Sequence, residues 1–290
     1  MEFASLEYLA HRMFNVRAGV LLVPVGFVNE LHEPAFFHGN LRPAVETAII
    51  PTTWRELGVG VFGELFEGFT YKLYGLTGFD GLRFGEGGWR GGRQKGGRPI
   101  AEDFAMVLSL LYDWRSIIQV GASVYYGGAD QSRVADDASS NTLLVEGRVQ
   151  LRYRRFEFRA LGVYGALSGA EALTKAVYPD SADPADPETR LIGSRLYGWY
   201  VEAAYDVLPL IFNTRLYLAP YARFEQYDAQ AKVPEIAGRK ASEGSKKRVI
   251  EAGLTFKPHS QVVVKAGYRD VDSEGTSPVD SFFIGAGFVY

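Results

Sequence analysis

Cysteine is absent from the 290 residues, which excludes a disulfide framework and a thiolate metal site. An excess of one charge is also lacking. Thirty-one Lys and Arg face 34 Asp and Glu, a net charge of −3, too balanced to suggest a nucleic-acid partner. No uncharged apolar run reaches the ~18 residues that a membrane helix needs. The start, "MEFASLEYLAHRMF", lacks the basic beginning and apolar centre of a secretory signal. Either such a signal has been removed or the chain begins inside a longer gene. Methionine occurs only 3 times, whereas Gly (33), Phe (19) and Tyr (17) are abundant. That balance, with few helix-favouring runs, points to an all-β chain, long enough for one large domain or two smaller ones.

The organising pattern is clearest in "TLLVEGRVQLRYRRFEFRALGVYGAL", residues 142–167. Val145, Val149, Leu151 and Tyr153 share one parity, and Glu146, Arg148, Gln150 and Arg152 the other. After Arg154-Arg155 the alternation restarts from Phe156. Successive side chains of a strand point to opposite faces, so this is two half-apolar strands joined by a tight turn. The same reading predicts strands at about 2–10, 15–25, 54–65, 69–78, 103–112, 116–127, 142–153, 156–167, 194–206, 214–227, 247–257, 261–270 and 280–290. Thirteen strands of roughly 9–14 residues exceed the mode of ~5–6 in soluble sheets and match the ~9–11 residues of a tilted membrane-crossing strand.

The connections alternate between short ones ("FEG", "YDWR", "RR", "KPHS") and long ones at 26–53, 79–102, 128–141, 168–193, 228–246 and 271–279. An up-and-down meander with one elaborated end fits a transmembrane β-barrel with short periplasmic turns and long extracellular loops. In that setting the soluble pattern inverts: apolar faces meet lipid and charged faces line a wet lumen. Aromatics near strand ends, among them Tyr8, Trp54, Trp114, Tyr153, Trp199 and Tyr268, suit girdles at the lipid–water boundaries. With long loops outside, the first strand runs inward and the count is odd. Single-chain bacterial barrels are almost always even. One or three N-terminal strands are therefore expected to be missing from a parent barrel of 14 or 16, and residues 1–290 form one barrel domain; an overcount by one strand is the alternative.

The end, "DSFFIGAGFVY", alternates Phe282, Ile284, Ala286 and Phe288 before Tyr290. It resembles the closing-strand signal of Gram-negative outer-membrane proteins, which usually ends in Phe. "NVRAGVLLVPVGFVNELHEPAFFHG" and "AIIPTTWRELGVGVFGEL" resemble the porin superfamily that includes the phosphate-selective porins O and P. The likeness covers about residues 1–75 and the last strand. It implies an outer-membrane porin, a passive diffusion channel for small hydrophilic solutes. Its partners would be lipid bilayer, lipopolysaccharide and, through the last strand, the barrel assembly machinery, with a homotrimer among the assemblies it allows. It implies no cofactor. It also implies a loop that folds inward and narrows the channel, here 26–53 with Asn29, Glu30, His32, Glu33, His38, Arg42 and Glu46. The repeated basic ladders of the most phosphate-selective members are not found.

Strand parity nominates a pore lining of Arg17, Lys72, Arg148, Arg152, Arg159, Arg215, Arg223, Lys265 and Arg269, with Glu56, Glu146 and Glu251 among its acids. Rings of one sign set ion preference. The slight basic excess leaves two readings, a weakly anion-preferring lumen or a mutually neutralised wall. His32, Glu33 and His38 match no established metal spacing. Without a Gly-x-Ser-x-Gly elbow or a His-Glu-x-x-His pair, no enzymatic activity is expected. The alternative to a channel is a non-conducting barrel whose outer loops meet partners; a soluble β protein is the third reading.

Overall fold

A computed structural model describes residues 4–97, 99–134, 139–179, 190–236 and 238–289. Thirteen strands form one antiparallel sheet in sequence order. They are β1 (Ala4–His11), β2 (Phe14–Leu22), β3 (Arg55–Phe66), β4 (Phe69–Thr77), β5 (Phe104–Trp114), β6 (Ile118–Gly128), β7 (Asn141–Tyr153), β8 (Phe156–Leu167), β9 (Arg195–Tyr205), β10 (Tyr217–Lys232), β11 (Lys246–His259), β12 (Val262–Ser273) and β13 (Thr276–Phe288). Each strand of the sequence reading is present within a few residues. Two short helices, α1 (Val45–Ala48) and α2 (Ala170–Val177), lie in long connections. Among the described residues no helix is long and apolar enough to cross a membrane. The sheet is not closed: β1 and β13 are its two edges.

Alternation decides which way the sheet faces. On β7, Val145 is 41 % exposed and its neighbour Glu146 is 1 % exposed. Met106, Val124, Val201, Ile250 and Val264 are likewise exposed on the outer face, while Ser109, Ser123, Glu202, Glu251 and Lys265 are buried. Apolar groups outside and polar groups inside are the inverse of a soluble sandwich and the pattern of a membrane barrel.

The structure corrects the sequence reading at one connection. The long connection expected at 271–279 is a turn at Glu274-Gly275, with Gly275 at φ 76°. Alternation carries β12 and β13 up to it, and a left-handed glycine is what a tight hairpin needs. The long connection at 79–102 is packed against the inner face. Arg93 is buried and donates to the carbonyls of Pro51 and Thr52, and Trp89 and Phe79 are fully buried. Arg98 of this connection lies outside the described residues, as does Tyr290 at the C-terminus.

The inner face is not wet along its whole height. Toward the long-loop end, inward residues Tyr74, Val107, Tyr125, Leu144, Leu161 and Tyr200 form one apolar core with Val45, Ile49, Trp54, Phe79, Trp89 and Leu173 from the inserted connections. Buried charges occupy much of the rest of the inner face, among them Glu146, Arg159, Glu202, Arg223 and Lys265.

Candidate functional site: an inward loop held by wall cations

The connection between β2 and β3 folds into the concave side. Asn29, fully buried, ties its two ends together. Its Nδ2 donates to the carbonyls of Val23 (2.7 Å) and Trp54 (2.8 Å), and its Oδ1 accepts from the Trp54 amide at 2.7 Å. Trp54 then stacks on Phe79 at 4.7 Å between ring centroids.

Beyond this neck, residues 35–41 cross toward β8–β12, and four wall cations take their carbonyls. Lys257 Nζ donates to Ala35 O at 2.9 Å and Arg159 Nη2 to Phe36 O at 2.9 Å. Lys265 Nζ donates to Phe37 O at 2.6 Å and Gly39 O at 2.8 Å. Arg223 donates to His38 O and Leu41 O. Carbonyls with no secondary-structure partner need donors once buried, and charged donors make the stronger bonds. Gly39 stands at φ 79°, and a Cβ there would collide with the Glu251 carboxylate.

Arg223 has fully buried guanidinium atoms, bonded to Glu202 (3.0 Å), Glu225 (2.9 Å) and Glu251 (2.7 Å). Glu225 also accepts from the Val45 amide of α1 at 3.0 Å. His38 reaches Thr255 Oγ1 at 3.1 Å and stacks on Tyr221.

The nominated residues therefore separate into groups. Arg159, Arg223 and Lys265 face inward and bind the loop, as does Lys257, which parity also places inward but which was not nominated. Lys72 pairs with Glu30 of the loop at 2.6 Å. Arg17 pairs with Glu7 and lies over Phe62. Arg148 pairs with Glu146 at 2.6 Å, and Arg269 stands 3.9 Å from Glu251. Arg215 is a correction. It precedes β10 in the connection from β9 and is exposed, because β10 starts at Tyr217 rather than 214. Glu56 is buried behind the packed 79–102 connection, where it accepts from the Gln94 amide at 3.0 Å. Asn29 and Glu46 are fully buried, so neither faces solute; both hold the loop. His32, Glu33 and Arg42 line a cavity of about 890 Å³ with Arg90 and Arg269. No group of three or more candidate metal ligands occurs among the described residues.

Glu46 on α1 accepts from the Phe27 (2.8 Å) and Val28 (2.9 Å) amides and from Tyr200 Oη (2.6 Å). Burial pushes its carboxyl from 4.5 up to about 7. Below about pH 4.5 both folded and unfolded chains hold this proton. Between there and about 7 only the folded chain keeps it, so stability falls with rising pH, by about 3 kcal/mol in full. Glu46→Gln keeps an acceptor for the two amides and does not titrate. The unfolding free energy of the wild type relative to this variant is expected to drop across pH 4.5–7, and a parallel pair of curves would contradict the assignment.

Under the loop, on the side of β4–β8, a cavity of about 430 Å³ is lined by Lys72, Gln119, Arg148, Gln150, Arg152 and Arg159. The Gln150 carboxamide oxygen, in the orientation that satisfies its neighbours, accepts from Arg152 and Arg159 at 2.9–3.2 Å. An adjoining cavity of about 350 Å³ shares Arg152 and Arg159 and adds Lys257 and Glu157. Arg152 has Glu157 only at 4.0 Å, and its side chain is 49 % exposed. Among the inner-face cations it is more open than Arg17, Lys72, Arg148, Arg223 or Arg269. Parity placed it on the inner face; only the register of β7 on β8 brings Gln150 opposite Arg159.

No family model matches the chain. It is 32 % identical over 276 residues to an uncharacterized protein of Aquifex aeolicus, a match covering 92 % of this chain and 60 % of that protein; the chain thus spans about three-fifths of that relative. Among solved structures it is similar to an anion-selective porin from Comamonas acidovorans (TM-score 0.56, 11 % identity, 96 % of this chain and 70 % of that one). It is also similar to OprB of Pseudomonas putida (TM-score 0.56, 9 % identity, 97 % and 70 %). A third similar structure is a loop-deleted OmpT, an outer membrane protein of Vibrio cholerae (TM-score 0.55, 12 % identity, 95 % and 76 %). At these identities the likeness is one of fold: the antiparallel up-and-down sheet of this chain is similar to the barrel walls of outer-membrane porins.

Proposed function

We propose that this chain forms the wall and constriction of an outer-membrane diffusion channel for small hydrophilic solutes, with a weak preference for anions. The observation that carries this reading is the inward 26–53 loop, fixed to the wall and leaving beneath it a cavity edged by Arg148, Arg152 and Arg159. Most wall cations are engaged by loop carbonyls or acids, so Arg152 is the chief source of selectivity and the preference is weak. A strictly phosphate-selective pore of the porin O/P kind is the stronger version of this reading. Such a channel needs no cofactor and no reacting group.

β1 and β13 run in the same direction, so closing them on each other would give a parallel pair in an antiparallel sheet. One or three further antiparallel strands complete the wall in this reading. β13 addresses the barrel assembly machinery, lipopolysaccharide surrounds the long loops, and a homotrimer is the assembly.

The test is the full-length protein in planar bilayers under a KCl gradient. Stable open steps with a reversal potential on the anion side are expected, and Arg152→Gln moves that potential toward parity. A second reading has its own observation, the apolar packing of Trp54, Phe79, Trp89 and Tyr125 inside the sheet. It makes the chain a plugged barrel whose loops meet partners. Electrical silence from well-folded protein would select it.

A further inference from the structure

The connection from β9 to β10 differs from the other short ones. Those are tight, two or three residues long, and mostly polar: Arg12-Met13, Glu67-Gly68, Arg115-Ser116-Ile117, Arg154-Arg155 and Ser260-Gln261, with no more than one apolar residue in each. This one carries "VLPLIFN", and Leu210, Ile211 and Phe212 are 61 %, 70 % and 60 % exposed. It is built, not frayed. Leu208–Leu210 form one helical turn, and the amides of Ile211 (3.0 Å) and Phe212 (2.9 Å) donate to Leu208 O. Asp206 closes its base, accepting from the Leu208 and Leu218 amides at 3.3 and 3.2 Å, and its own amide donates to Arg155 O at 2.9 Å. Three consecutive large apolar side chains held out by an ordered turn mark an interaction site.

Two features identify what covers them. Tyr205 and Leu216, at the two ends of the connection, belong to the exposed apolar outer face, so the patch continues the surface assigned to lipid. The neighbouring rim is basic. Arg154 lies over the Tyr153 ring at 5.3 Å and Arg115 over Trp114 at 5.6 Å, and Arg215 is exposed beside the turn. Apolar anchors beside guanidinium groups suit the boundary between acyl chains and phosphates.

We propose that the β9–β10 connection is a lipid-inserting wedge. Leu210, Ile211 and Phe212 enter the acyl region of the leaflet at the short-turn rim, and Arg154, Arg155 and Arg215 bind phosphates of anionic phospholipids there. The inference rests on the membrane reading above.

These 290 residues hold no cysteine, so a thiol introduced among them has no competitor within this chain. Ile211→Cys and Val145→Cys, each carrying a nitroxide, are placed in the full-length protein in vesicles of phosphatidylethanolamine and phosphatidylglycerol. Both labels are expected to collide with oxygen and to be shielded from a water-soluble nickel chelate. If the Val145 label meets nickel, the membrane reading itself fails. If only the Ile211 label meets nickel, the wedge is wrong. Spin–spin broadening at 211 would assign the patch to a second copy and overturn the proposal. For the headgroups, the triple variant Arg154→Gln, Arg155→Gln, Arg215→Gln is expected to lose severalfold of the co-purifying phosphatidylglycerol by native mass spectrometry. An unchanged lipid profile would remove the arginines from the proposal.

Discussion

Replacing Arg223 with methionine is expected to lower the unfolding free energy by about 3–5 kcal/mol, the scale of stranding buried charges by removing one partner. The guanidinium is buried and contacts three carboxylates, those of Glu202, Glu225 and Glu251. Without it, three acids remain together, with Arg269 3.9 Å from one of them, and they must take up protons or water. The carbonyls of His38 and Leu41 also lose their donor. The effect thus has two readouts: a lower denaturant midpoint in lipid or detergent, and faster hydrogen exchange over residues 35–41. Arg223→Lys is expected to fall between, because one ammonium cannot reach five acceptors in the guanidinium's fixed fork. Unchanged exchange over 35–41 would mean that the wall cations do not hold the loop.

Trp54→Ala is expected to cost about 3–5 kcal/mol, as for other fully buried aromatics. The indole is fully buried, stacked on Phe79 and tilted against Tyr125 at 4.7 Å. It joins the loop's exit to the core formed with the 79–102 connection. The cavity left at that junction loosens both insertions, so channel currents should become larger or noisier. Trp54→Phe, which refills much of the space, should recover most of the stability. Truncation with no loss by denaturant unfolding would show that the apolar plug is not packed as described.

Much of this architecture is legible in local pattern. Alternation of Val145 and Glu146, or Val264 and Lys265, fixes parity within a strand, and parity is a property of the backbone alone. The packed half of the interior also left a trace that simple alternation overlooks. "TLLV" at 142–145, "ALGV" at 160–163 and "VYY" at 124–126 are apolar on both parities, as strands covered on both faces are. Asn29 and Glu46 read in the sequence as residues of a loop that narrows the channel. Their burial was not legible, since it depends on which amides the folded loop leaves without acceptors.

Sequence by itself determined the number of strands, their order along the chain and which side chains share a face, because a period of two and the turn residues are local. Whether an inward cation meets a solute or a carbonyl was decided only by tertiary structure. Arg159, Arg223, Lys257 and Lys265 come from four strands and converge on six loop carbonyls through the curvature and register of the sheet. Once there, the stronger demand is that of buried carbonyls for donors, and it leaves Arg152 the most open of the inner-face arginines described here.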